Sequence, residues 1–269
     1  MHGSKLIDLI VISTPGSNRA VPLLEVLEKS NLFEIHVLEA TMYSAQNDKR
    51  AIDRAGQLAV YGHELPDGAI GCAISHQNAY QLIAELGNPA VILEDDARIP
   101  NLDNFENTVN LFFSSHKGEP AVLSLLPWNH KQPCSGMTVT TKSFMRLIGR
   151  TPLTVGYALT VNVAIELSKT NPGLKYAADW PPGQVAYISS IVGVITHGDL
   201  HSGSTIQHVK RDSRFNRVKR LLDTLFVDFW RYRKEFRSFP EYWNLRVTPS
   251  FTWRIDDFRG KRRLRKLAQ

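Results

Sequence analysis

Short apolar runs rich in β-branched residues take turns along the chain with stretches whose apolar positions recur at steps of three and four, the alternation of strands and amphipathic helices. Leu6–Ile12 is the first such run and breaks off into Ser13-Thr14-Pro15-Gly16-Ser17-Asn18-Arg19, which predicts a central strand feeding a polar loop. Ala20–Lys29 then places Val21, Leu24, Val26 and Leu27 near helical spacing, and Phe33–Leu38 reads as a second strand. Ala90–Asp96 is a buried run that stops in three carboxylates, and Ala121–Leu126 is a further strand. Leu153–Ser168 divides into a strand through Leu159 and a helix from near Asn162, and Val185–Thr196 reads as a strand pair. This order is the usual opening of a nucleotide-binding α/β half. The glycine fingerprint for a dinucleotide phosphate is absent, which counts against a dinucleotide enzyme.

Two stretches interrupt the alternation. Glu39–Gly68 is polar and mixed, and its Asp48, Lys49, Arg50, Asp53 and Arg54 predict a helical surface segment, read as a lid or recognition insertion. Gly68–His76 follows as Gly-Ala-Ile-Gly-Cys-Ala-Ile-Ser-His, with two glycines expected ahead of a helix that runs to Leu86. Glycines there would let backbone come close to a ligand. Ser75 and His76 are then expected in the first turns of that helix, near the strand end at Glu94. In the competing reading, Cys72, Ala73 and Ile74 are core and His76 only covers the helix.

Charge changes the picture more than composition does. At 269 residues the chain suits one large α/β domain, with or without an appendage. The net charge of +6 is divided unevenly: Thr205–Gln269 carries 18 Lys and Arg against 7 Asp and Glu, while residues 1–204 carry 14 against 19. Such asymmetry points to an anionic partner for the tail, a membrane surface or a nucleic acid. Val209–Phe236 spaces Phe215, Val218, Leu221, Leu222, Leu225, Phe226, Phe229 and Trp230 as an amphipathic basic helix. The segment after Phe258 adds Arg-Gly-Lys-Arg-Arg-Leu-Arg-Lys, a polybasic arm suited to anionic lipid. A helix packed on the body with a solvated charged face is the alternative. Cys72 and Cys134 lie far apart and outside any metal spacing, so a reducing cytoplasm is expected. No signal peptide or spanning helix is predicted.

The chemistry concentrates at strand ends. Three adjacent carboxylates disfavour full ionisation unless a cation or hydrogen-bond donors sit among them. Side chains alternate on an extended segment, so Glu94 and Asp96 are the expected ligand pair. All-oxygen ligation suits Mg²⁺ or Mn²⁺ better than Zn²⁺. A solvated strand-to-loop turn is the competing reading. Pro127-Trp128-Asn129-His130 has side chains compatible with sugar, with Trp128 either stacking on a pyranose or capping the core. Asp179 sits between aromatics in Tyr176–Gly183, as a functional carboxylate or a turn residue. His197-Gly198-Asp199-Leu200-His201 gathers polar residues at another strand end.

Val11-Ile12-Ser13 with Arg19, Gly71-Cys72-Ala73-Ile74-Ser75-His76, Ile92-Leu93-Glu94-Asp95-Asp96, Gly156-Tyr157 and the later Asp179 together resemble glycosyltransferase family 25, the bacterial lipooligosaccharide biosynthesis enzymes related to collagen galactosyltransferases. The similarity spans roughly residues 6–205 in the family's order. Ala69 and Thr14 depart from the family pattern. The resemblance implies a GT-A-like, single Rossmann-type nucleotide-sugar-binding domain over residues 1–205, while the charge of residues 206–269 marks them as a basic helical C-terminal extension, expected to attach to a membrane surface. It implies an inverting transfer of a hexose, most often galactose from UDP-galactose, to a lipooligosaccharide or LPS outer-core acceptor, with Mn²⁺ or Mg²⁺ at the acidic motif. Metal ligands are then expected to be Glu94, Asp96 and His197, with His201 as alternative. Donor-binding residues are Ser13, Arg19, Thr41, Ser75, His76, Gly156 and Tyr157. Asp179 is the expected base and Asp95 its competitor. Arg19 suits a diphosphate through its bidentate geometry. The implied setting is cytoplasmic, peripheral at the inner face of the bacterial inner membrane, with no nucleic-acid partner. Two rival readings remain: a sugar nucleotidyltransferase, and a nucleic-acid-binding module using the basic tail with its Phe229, Trp230 and Trp243.

Overall fold

Alternating side chains on two fully buried strands set the layers. In a computed structural model of the chain, residues 6–61, 63–116, 121–126, 137–139, 144–147, 154–178, 186–190 and 194–198 are described. All of them belong to one compact unit, Met1–His130 with Gly136–Gln207; Lys131–Ser135 and His208–Gln269 form a second unit that lies outside the described residues. The expected basic helix and polybasic arm therefore fall outside them, as do Pro127-Trp128-Asn129-His130, Asp179 and His201.

The elements in order are β1 (Ile7–Ser13), α1 (Val21–Leu27), β2 (Phe33–Glu39), α2 (Arg54–Tyr61), α3 (Asp67–Leu86), β3 (Ala90–Glu94), β4 (Ala97–Arg98), α4 (Leu102–Ser115), β5 (Ala121–Ser124), β6 (Met137–Val139), β7 (Phe144–Leu147), β8 (Gly156–Leu159), α5 (Val161–Thr170), β9 (Ala186–Ser190) and β10 (Thr196–His197). Eight strands form a mixed sheet in the order β2-β1-β3-β8-β5-β9-β7-β6. Within it β2, β1 and β3 run parallel, and β8 is antiparallel to both β3 and β5. Strand β10 pairs antiparallel with β4 in a separate ribbon.

On one face, Leu9, Val11, Val91 and Leu93 pack with Leu23 and Leu27 of α1 and with Phe105, Val109 and Phe112 of α4. On the other, Ile10, Ile12, Ala90 and Ile92 meet Ala79, Tyr80 and Ile83 of α3 and Val163, Ala164 and Leu167 of α5. Because β1 and β3 are covered on both sides, they read as continuous apolar runs rather than as alternating ones. Each buried Leu, Ile or Phe contributes roughly 1.5–3 kcal/mol, so the two facing clusters hold the strand ends in place.

Four expectations need correction. Residues 48–53 are not helical, because short acids there bind local backbone: Asp48 accepts from the Arg50 amide and Asp53 from the Gly56 amide, which starts α2 at Arg54 instead. Helix α3 begins at Asp67, so Gly68 and Gly71 lie inside it, and Ser75 and His76 come in its third turn. A Cβ on Gly71 would stand 2.5 Å from the Thr41 carbonyl oxygen; the glycine lets α3 pack against the chain after β2, not against a ligand. The strands of residues 185–196 do not pair with each other, since β9 joins the main sheet and β10 joins β4. The stretch of residues 39–68, expected as a lid, is docked through Tyr43 and Leu65 onto Ile70 and Ile74. Gln57, fully buried, fastens it by donating to the Leu174 carbonyl and accepting from the Leu65 amide.

Candidate active site

The parallel strands β1 and β3 end side by side, with Ile12 opposite Glu94, and their carboxyl ends carry the polar residues. Ser13 closes β1 and its carbonyl accepts from the Ala40 amide. The chain leaves the extended path after Glu94, so Glu94 and Asp96 do not share surroundings as strict alternation requires.

Glu94 faces α3 and β8. Its Oε1 accepts from the Thr154 hydroxyl at 2.7 Å and lies 3.3 Å from His76 Nε2. His76 Nδ1 lies 2.7 Å from the Tyr157 hydroxyl, which donates onward to Tyr80 at 3.0 Å. With Nδ1 turned to Tyr157, Nε2 is the ring nitrogen of His76 that faces Glu94. Burial works to raise the Glu94 pKa, but the hydrogen bond and charge of His76, the Thr154 hydroxyl and the charge of His197 outweigh it and hold the carboxyl below its ordinary range. Burial, then Tyr80, push the Tyr157 phenol well above its ordinary value, so it stays protonated.

Asp95 and Asp96 turn toward β1. Asp95 Oδ2 accepts from the Thr14 amide at 3.0 Å, and its Oδ1 stands 3.6 Å from Arg19 Nε. Arg19 Nη2 donates to Asp96 Oδ2 at 2.8 Å. His197 reaches the same oxygen from the β4–β10 ribbon, with Nε2 at 3.5 Å. The Gly198 carbonyl accepts from His197 Nδ1 at 2.7 Å, which leaves Nε2 as the nitrogen facing the carboxylate. Gly198 permits this crossing, because a Cβ there would come within 2.8 Å of the Asp96 carbonyl oxygen. Burial and the neighbouring charge of Glu94 raise the Asp96 pKa above its ordinary value, against the lowering influence of His197 and Arg19. Asp96 Oδ1 is buried and has no hydrogen-bond partner among the described residues.

The remaining expected residues serve as supports. Ser75 is buried; its hydroxyl donates to the Gly71 carbonyl and accepts from the Thr41 amide. The Thr41 hydroxyl accepts from Asn78. Gly156 lies inside β8, where a Cβ would stand 2.4 Å from Ile195 Cδ1 and 2.7 Å from Leu93 Cδ2. The structure therefore brings Glu94, Asp95, Asp96, Arg19 and His197 together at one edge. His76 and Tyr157 stand beneath them. The expected ligand set of Glu94, Asp96 and His197 is not among the groups whose donor atoms all fall within 4.8 Å of one another; Cys72 with His76 and Glu94 is, and so is Asp8 with Glu34 and His36. Sequence reasoning missed Thr14, Thr154 and Tyr80. The only signal for Thr154 is its place two residues ahead of Gly156-Tyr157.

A sheet with helices on both faces, bearing acids and an arginine beyond the carboxyl ends of parallel strands, defines a Rossmann-like α/β protein. The profile of glycosyltransferase family 25 (LPS biosynthesis protein) matches residues 10–180, and the chain belongs to that family. No curated protein matches the chain. Membership makes it a glycosyltransferase of LPS biosynthesis, which takes a sugar donor and an oligosaccharide acceptor. It displaces the nucleotidyltransferase reading and the reading of the chain as a non-enzymatic module; the basic tail lies outside the matched residues. Among the described residues no helix is long and apolar enough to cross a membrane.

Proposed function

We propose that the chain is an inverting, metal-dependent hexosyltransferase that moves galactose from UDP-galactose, in β linkage, onto a lipooligosaccharide or LPS outer-core acceptor. The observation that carries the metal is Asp96: one carboxylate oxygen is buried without a partner among the described residues, and the other, which accepts from Arg19, lies 3.5 Å from His197 Nε2. A buried carboxylate oxygen with no donor, beside a second acid and an imidazole, is suited to hold a cation. The donor set of carboxylate oxygens with one imidazole fits Mn²⁺ or Mg²⁺, with Asp96 and His197 as holders and Glu94 as the nearby acid. Such an ion would supply charge stabilisation to the departing diphosphate.

This chain's own residues do the rest. Arg19, anchored by Asp95 and Asp96, directs its remaining N–H groups to the diphosphate. Inversion needs one base to take the acceptor proton as the hydroxyl attacks the anomeric carbon. Both oxygens of Asp95 are engaged, one with Thr14 and one with Arg19, which favours Asp179 as base. The galactose donor and the acceptor rest on family likeness, and peripheral attachment through the basic tail rests on its charge.

The test is UDP release from a panel of UDP-sugars with Mn²⁺ and a lipooligosaccharide acceptor, comparing the intact chain with Asp96→Ala. Metal-dependent turnover of UDP-galactose that is lost in the variant is the expected result. No turnover of any UDP-sugar by folded protein would overturn the reading.

A further inference from the structure

Spacing along the sequence leaves Cys72 isolated, but α3 and β3 bring its Sγ, a ring nitrogen of His76 and a carboxylate oxygen of Glu94 within 4.8 Å of one another. Cys72 and His76 are four residues apart on α3 and so share one helix face. His76 Nε2 and Glu94 Oε1 stand 3.3 Å apart. Two ligands bound at about 2.0–2.1 Å to one tetrahedral zinc ion are separated by about 3.3 Å, so this edge of the cluster already has the required span. His76 Nδ1 is committed to Tyr157, which is itself held by Tyr80, the kind of outer hydrogen bonding that orients a ligating histidine. That leaves Nε2 as the ring nitrogen turned toward Glu94. Cys72 is partly exposed and in no disulfide, and the Glu94 side chain is 24% exposed, so solvent reaches the cluster.

We propose that Cys72, His76 and Glu94 form a second cation site that takes Zn²⁺. A thiolate beside an imidazole selects a borderline-soft ion over Mg²⁺ or Mn²⁺. Three protein ligands leave the fourth position to water. Zinc takes the cysteine as its thiolate, so binding releases the thiol proton to solvent. Because the charge of Glu94 acts on Asp96, zinc here alters the neighbouring cluster and slows transfer; the site itself stands independently of the transferase reading.

The experiment titrates Co²⁺, then Zn²⁺, into the tag-free full chain and reads the near-ultraviolet absorption of a thiolate bound to cobalt. We expect a band that saturates at one equivalent and is removed by Zn²⁺, is absent in Cys72→Ser, and persists in Cys134→Ser and in Asp96→Ala, with circular dichroism confirming that each variant is folded. A band that survives in Cys72→Ser, or its absence from the folded parent chain, overturns the proposal. Its loss in Asp96→Ala also does, by assigning the cation to the neighbouring site. A chain that shows the band but turns over no UDP-sugar leaves this inference standing while the proposed function fails.

Discussion

Glu94 lies among donors, with a hydroxyl from Thr154, a ring nitrogen from His76 and a relay of tyrosines behind it, whereas Asp96, two residues on, is held by the charges of Arg19 and His197 and keeps one buried oxygen without a partner among the described residues. Their pKa values accordingly move in opposite directions, Glu94 down and Asp96 up. The contrast teaches that neighbouring acids at one strand end have different work: one is held by hydroxyl and ring donors of the fold, while the other keeps a buried oxygen that the described residues do not satisfy. Asp8 at the opposite end of β1 makes the same point. It is as buried as a site acid, but both of its oxygens are met within the fold, Oδ1 by His36 at 2.8 Å and Oδ2 by Asn88 at 3.0 Å.

The largest test of this division is Asp96→Ala, which should cut kcat/KM for transfer by about a hundredfold or more, the scale of losing one preorganised electrostatic group at the reacting charge. A loss under tenfold would put the working carboxylate elsewhere. On the same side, Gly198→Ala should cost about 1–3 kcal/mol of stability as the new Cβ drives the β4–β10 ribbon from Asp96, with urea unfolding as the measure. On the satisfied side, Thr154→Val removes one donor to a charged acceptor and should cost about 1.5–3 kcal/mol. An unchanged midpoint would mean that water replaces the hydroxyl freely.

The smallest effect is a matter of slope. Glu94, with its folded pKa lowered, adds stability above the ordinary carboxylate range and loses it as pH falls through the lowered value. Asp96, with its folded pKa raised, contributes fully below that range and loses its contribution as pH rises through the raised value. In the cation-free protein, Glu94→Gln should therefore remove part of the rise of stability with pH, and Asp96→Asn part of its fall. Unfolding series across the acidic range that displace both slopes the same way would erase the distinction.

The central strands were legible because burial on both faces leaves an uninterrupted β-branched signal at Leu9, Ile10, Val11 and Ile12, and again at Val91, Ile92 and Leu93. Helix α4 went unread although Phe105, Val109 and Phe112 follow helical steps and Asn101 caps it through the Asn104 amide. Strands β6 and β7 are too short to carry a period. Of the site, the acids and Arg19 were visible because charge after an apolar run is unusual in sequence. The support of Glu94 by Thr154 was not, since 60 positions separate them and only the pairing of β3 with β8 joins them. The glycines of α3 misled for a related reason. Their freedom is used for packing against Thr41 and within the helix, which composition cannot distinguish from closeness to a ligand.

Thermal unfolding with Mn²⁺ and UDP added together tests the central claim most directly, because the account rests on Asp96 being an unfinished cation site in a glycosyltransferase. A ligand at about a hundred times its Kd stabilises the folded state by about 2.7 kcal/mol. The account predicts a rise in Tm that requires both additives in the parent chain and disappears in Asp96→Asn. An equal rise in Asp96→Asn, or none in the parent chain at saturating concentrations, would contradict it.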